Sequence, residues 1–273
     1  MTTGRAARIT RMKKLLVVIV ALLVLAAVAI GVRTLGARDE TDAVDTKEAA
    51  ELVEDEGDAT DVEAGDRPEP GTYTYTGSGE ESVDALGGSR HEFPKEIPIV
   101  VKLDAEDDCR WTANVVYVKQ HIEERRYCTK DGVLTDLGFT RETEFFNQTQ
   151  ETVYDCDEEA ATRLRTDGQP GDTWTWTCTQ QGGATKSAYT ATLVGVETLT
   201  IGGEDVKAWH TKVVSKQTGD TNGSDTSEFW LDETGLVLRF TTNLDVDTKS
   251  VLGDTNFREQ TSYALTSLVP ERE

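Results

Sequence analysis

The sequence predicts an all-β domain, a large curled antiparallel meander (half-barrel or barrel-like), preceded by a single transmembrane helix and a disordered acidic stalk. Three observations carry that prediction. From Gly71 onward Thr, Val, Tyr and Trp dominate, with Gly-, Asn- or Asp-containing turns about every ten to fifteen residues. One apolar run, Leu15 to Val32, is long enough to cross a bilayer. Between the two lies an acid-rich segment almost without aromatics.

Residues 1–14 read as a basic cytoplasmic tail. Arg5, Arg8, Arg11, Lys13 and Lys14 precede the apolar run, and the positive-inside rule keeps them in the cytoplasm. Residues 15–32 are eighteen consecutive apolar or small residues. As a helix they span roughly 27 Å, close to the hydrocarbon thickness of a bilayer. The competing reading is a cleaved signal peptide, because Ala27-Val28-Ala29 fits a small-x-small cleavage site. Either way the body is extracellular, and residues 15–32 tie it to the cell membrane as a signal anchor if uncleaved.

Residues 33–70 read as the acidic, disordered linker. They are acid-rich and end in Pro68 and Pro70. Such a segment buries too little apolar surface to offset its ordering entropy, and like charges extend it. Within it "KEAAELVEDE" is a candidate transient helix. Residues 71–273 form the extracytoplasmic all-β domain. The whole chain carries −22. The exported part is strongly acidic, which repels phosphate backbones and excludes nucleic acid as a partner.

Twelve strands are expected, at 71–77, 95–104, 109–118, 121–129, 133–145, 148–155, 172–180, 186–200, 205–217, 226–232, 236–246 and 255–268. Gly202-Gly203 makes a hairpin turn, and Gly235 supplies a positive φ in "LDETGL". Only 157–165, "DEEAATRLR", reads as helical within the domain. Without crossover helices the sheet must be antiparallel. Strands of about fifteen residues twist strongly, so a sheet of about ten curls on itself.

The four cysteines all lie in the exported part, where disulfides persist. Nearest-neighbour pairing, Cys109–Cys128 and Cys156–Cys178, closes loops of about twenty residues, each worth roughly 3 kcal/mol. If Cys109 and Cys128 face each other, Trp111 faces Arg126 across that hairpin, a cation–π pair. In "DTWTWTCTQ" Trp174 and Trp176 share a face with Cys178. Together with Trp209 and Trp230 they are candidates either for core packing or for the wall of a ligand groove.

The search for chemistry returns no catalytic, cofactor-binding or metal site. There is no G-x-S-x-G, H-E-x-x-H or S-x-x-K. "DTNGSDTSEFWL" departs from a calcium loop at its glycine and its last ligand, and reads as an acidic hairpin turn. No C-x-x-C occurs, and His91, His121 and His210 are scattered, which speaks against zinc. His210 lacks a Ser or Cys at a spacing that suggests a nucleophile.

The segments "DTWTWTC", "LVGVETLTIGGEDVKAWHTKV", "EFWLDETGLVLRF" and "SYALTSLVP" together resemble uncharacterised membrane-anchored or secreted envelope proteins of high-GC Gram-positive bacteria. More distantly the layout is similar to carriers of the lipoprotein-localisation-factor type. That resemblance covers about residues 171–270. It implies a curled β-sheet able to hold a lipid-like ligand, and it transfers no functional residue. The expected function is therefore a non-catalytic envelope protein that binds a ligand or partner on its curved sheet. The alternatives are a structural or interaction module without a small-molecule site and, third, an enzyme acting on envelope glycans.

Overall fold

Period-two alternation places one face of most strands in a common interior. The computed structural model describes residues 41–53, 63–85, 88–250 and 253–272. The proposed tail and transmembrane segment, residues 1–32, lie outside the described residues. Among the described residues no helix is long and apolar enough to cross a membrane. The strands are β1 Gly71–Val83, β2 Ser89–Phe93, β3 Glu96–Leu103, β4 Arg110–Val118, β5 His121–Lys130, β6 Val133–Phe145 and β7 Gln148–Cys156. They continue as β8 Thr162–Arg165, β9 Thr173–Gln180, β10 Lys186–Ile201, β11 Glu204–Thr218, β12 Thr221–Leu231, β13 Val237–Ser250 and β14 Gly253–Leu265.

All fourteen belong to one antiparallel sheet, and the sheet closes. β1 pairs with β3 on one side and with β14 on the other. The ring runs β1-β3-β4-β5-β6-β7-β9-β10-β11-β12-β13-β14, with β2 and β8 off it. The sequence left half-barrel and barrel open; the β1–β14 pairing makes it a barrel. β2 and β3 keep one register on β1: Thr76 faces Glu96 and Gly79 faces Phe93. Pro94, which has no N–H to donate, splits what is otherwise one long strand. Gly202 and Gly203 have φ of 58° and 93°, the mirror-image hairpin turn expected between β10 and β11.

The barrel interior has two halves. One is aromatic and aliphatic, built on Tyr73, Tyr75, Ile97, Trp111, Leu238 and Phe240. Two buried tyrosine hydroxyls there are paired: Tyr75 Oη donates to the Val237 carbonyl at 2.5 Å and Tyr263 Oη to that of Pro94 at 2.8 Å. The other half is charged and is described below. Two disulfides pin strands together. Cys156 and Cys178 are directly opposed on β7 and β9, and Cys109, just before β4, joins Cys128 on β5.

Four expectations differ from this architecture. The acidic linker is not disordered throughout. Residues 46–53 form helix α1 (Thr46–Val53), whose N-terminus is capped by Asp45 Oδ1 accepting from the Glu48 N–H at 2.9 Å. Ala49 and Val44 pack on Val100 and Val116 of the outer barrel wall, and Lys119 pairs with Glu48 at 2.6 Å. Apolar residues in a mostly acidic segment found a complementary patch, which composition does not reveal. Residues 33–40 and 54–62 lie outside the described residues.

The helix expected at 157–165 is a turn followed by β8, which pairs with β6. Arg163 donates to Asp136 at 2.8 Å inside the protein, and that tertiary pair overrides local helix propensity. The β4–β5 register is offset by one residue: Trp111 faces Tyr127, and Arg126 faces Thr112. The turn is Lys119-Gln120, with an irregularity between Val116 and Val118, so no Trp111–Arg126 pair forms. Trp111 instead tilts against Tyr127 at 4.8 Å and donates to Thr129 Oγ1. Finally, the "acidic turn" from Asp220 is strand β12 from Thr221 onward.

Candidate functional site

β5 reads His121-Ile-Glu123-Glu-Arg125-Arg-Tyr127, and its odd positions point into the barrel. A strand that turns a histidine, a glutamate and an arginine inward must find partners for them. β6 supplies Arg141 directly opposite Glu123. β1 supplies Glu81, flanked by His91 on β2 and by Glu259 on β14. Seven titratable residues from five strands thus converge at the β1–β2 end of the barrel.

The contacts are close. Glu123 accepts from Arg141 Nε at 2.8 Å and also pairs with Arg125. Glu81 Oε1 lies 2.6 Å from His91 Nδ1, and its Oε2 lies 2.9 Å from His121 Nδ1. Glu259 Oε2 is 3.6 Å from Arg141, too far for a hydrogen bond. Phe145 stacks on His91 at 4.4 Å and meets Phe257 edge-on, forming an apolar floor beneath the cluster. Gly79 leaves room on the same face, where a Cβ would sit 2.7 Å from the ring of Phe93.

The electrostatics follow from burial set against neighbours. Burial would raise the carboxyl of Glu123, but Arg125 and Arg141 hold it at about 2. Burial acts on Glu81 in the same way, and His121 overrides it, again to about 2. Burial would lower the imidazolium of His121, but Glu81 raises it. For Glu259 burial wins over the attraction of Arg141 and His121, and the carboxyl is raised.

Above the cluster is a cavity of about 80 Å³. Arg125, Arg141, Asp225, Ser227 and Thr242 line its polar side, and Phe229 and Phe240 its apolar side. Burial raises the carboxyl of Asp225 although Thr242 and Ser227 donate to it. An open groove of about 540 Å³ lies on the outer wall. Its charges are already cross-paired, Arg110 with Glu158 and Arg126 with Asp155.

None of the four aromatic candidates lines the interior cavity. Trp176 is buried and stacks on Tyr189 at 5.0 Å. Trp174 is half-buried against Gly168. Trp209 is buried and donates to the Thr166 carbonyl at 3.2 Å. Trp230 stacks on His210 at 4.1 Å, with Arg239 over its ring. His210 itself sits between Glu197 at 3.2 Å and Glu228 at 3.1 Å. Those two carboxylates account for both ring nitrogens.

No protein-family model matches the chain, and no curated protein matches it. A solved structure, the hypothetical lipoprotein YmcC from Escherichia coli (K12), is similar over 80% of this chain and 94% of that one, with 15% identity and a TM-score of 0.32. A likeness that weak supports no argument about fold or function.

No motif or spacing in the sequence marks the buried cluster. His91 and His121 are thirty residues apart and look scattered, yet both reach Glu81, because β2 and β5 meet the same end of β1. The available signal was parity. Glu81, Glu123 and Glu259 occupy the inward phase of their strands, set by Tyr75, Tyr127 and Tyr263.

Proposed function

We propose that this is a non-catalytic envelope protein, tethered through residues 15–32, that acts through the outside of a closed and filled barrel. The observation that carries this reading is the size of the interior. Sites for drug-sized ligands run roughly 300–1,000 Å³, and the cavity here is about 80 Å³. A lipid-like ligand would need it to expand several-fold. Of the titratable groups that converge inside, Glu81, His91, His121 and Glu123 are sealed in at 0–1% exposure. A substrate would have to displace the Phe145 floor to reach them.

The outer wall offers a bare strand edge. β7 pairs with β9 only over Tyr154 to Cys156, so Gln148 to Thr152 pair on one side alone, with β6. Such an edge can accept a strand from a partner.

Native mass spectrometry of the full chain, extracted from membranes in mild detergent, tests this reading. A lipid-free protein supports it. A lipid that stays bound after the detergent is stripped refutes it and restores the carrier reading.

A further inference from the structure

We propose that Glu81, His121 and Glu259 form a binding site for one divalent transition-metal ion, with zinc as the best chemical match. One donor atom from each residue lies within 4.8 Å of the other two. All three side chains are buried, with residue exposures of 1%, 0% and 3%. Zinc bonds of about 2.1 Å put tetrahedral donors roughly 3.4 Å apart, so the site closes on an ion by an inward shift of about 1 Å.

A second observation points the same way. His121 Nε2 and Glu259 Oε2 are buried and have no hydrogen-bond partner. His121 Nδ1 pairs with Glu81 Oε2 at 2.9 Å, which leaves Nε2 as the free ring nitrogen. Buried donors and acceptors are almost always paired, so two such orphans beside the Glu81 carboxylate call for a further partner. Two oxygens and an imidazole nitrogen are a ligand set that zinc accepts. The other oxygen of Glu81 is held by His91 at 2.6 Å, which fixes the carboxylate as an outer-shell partner should.

Charge agrees. Five carboxylates face the interior (Glu81, Glu123, Asp136, Asp225 and Glu259) against the guanidinium groups of Arg125, Arg141 and Arg163. The excess of two negative charges is cancelled by one divalent ion. The ligands come from β1, β5 and β14. A bound ion would therefore lock the seam where the first and last strands meet.

The test uses the full chain in detergent, stripped with a chelator, and titrated with Zn²⁺ against a chromophoric competitor at pH 7.5. The expected result is one ion per chain, with binding weakened roughly 100-fold or more in Glu259→Gln and about 10-fold in His91→Gln. X-ray absorption on the zinc-loaded wild type supplies a readout that needs no variant. One nitrogen and two or more oxygens at about 2.0–2.2 Å support the site. Failure of the folded, stripped protein to bind zinc overturns it, as does undiminished binding by Glu259→Gln or a spectrum showing two imidazoles.

Discussion

Glu123→Gln removes the charge that holds Arg125 and Arg141 while keeping the shape of the side chain. Glu123 is 1% exposed and contacts both guanidinium groups. Its carboxyl is pulled from an ordinary 4.5 to about 2, and a drop of roughly 2.5 corresponds to about 3 kcal/mol of stability at neutral pH. Removing one partner of a buried ion pair costs about 3–5 kcal/mol. The arginine side chains are 28% and 22% exposed, so screening favours the lower end. For a domain of about 200 residues this lowers Tm by roughly 6–12 °C. The sign with pH is fixed. A depressed carboxyl stabilises the fold above its unfolded pKa of 4.5, and that contribution is lost as pH falls towards about 2. Thermal and urea melts of the two proteins from pH 7 down to pH 2.5 should therefore converge. A difference below about 1 kcal/mol at pH 7, or one that stays constant down to pH 2.5, refutes the ion-pair account.

Other perturbations read out other parts of the molecule. Tyr75→Phe removes the donor to the Val237 carbonyl and should cost about 1–2 kcal/mol in urea unfolding. Phe145→Ala removes the ring stacked on His91; it should destabilise by about 1–3 kcal/mol and speed amide exchange at His91 and His121, seen by mass spectrometry. Replacing Cys156 and Cys178 by serine opens a loop with a separation of 22 residues and should lower stability by about 3 kcal/mol, measured as a shift in the urea midpoint. Ala49→Asp buries a charge against Val100 and Val116. It should release α1, so that proteolysis between residues 41 and 62 accelerates while the near-UV circular dichroism of the barrel stays unchanged.

The sequence made the barrel legible because alternation and turn glycines are local signals. Gly202-Gly203 and the long strands on either side follow directly from such patterns. What escaped is non-local. β8 exists because Arg163 finds Asp136, and α1 is held because Val44 and Ala49 find Val100 and Val116. Neither pairing shows in composition. The β4–β5 register moved by one residue at an irregularity before Lys119-Gln120, and that moved Trp111 from Arg126 to Tyr127. The buried cluster was hidden for a related reason. Each acid looked like one more surface charge among fifty, and only its phase relative to neighbouring aromatics marked it as inward. The tryptophans are the largest side chains on their strands, yet Trp176 fills space and Trp230 braces His210.

The pairing of β1 with β14 also sets a clock. Synthesis delivers Gly71–Val83 about 170 residues before Gly253–Leu265, so one edge of the first strand must wait for the last one. During that interval the hairpins from β3 to β13 can form locally, but the seam cannot. An open sheet with inward-facing Glu81 and Tyr75 exposed at its edge is prone to pairing with neighbouring chains. If the domain is exported as proposed, the barrel completes only after its C-terminal strand has crossed the membrane. A chain truncated before Gly253 would keep nearly all its strands and still be unable to shut.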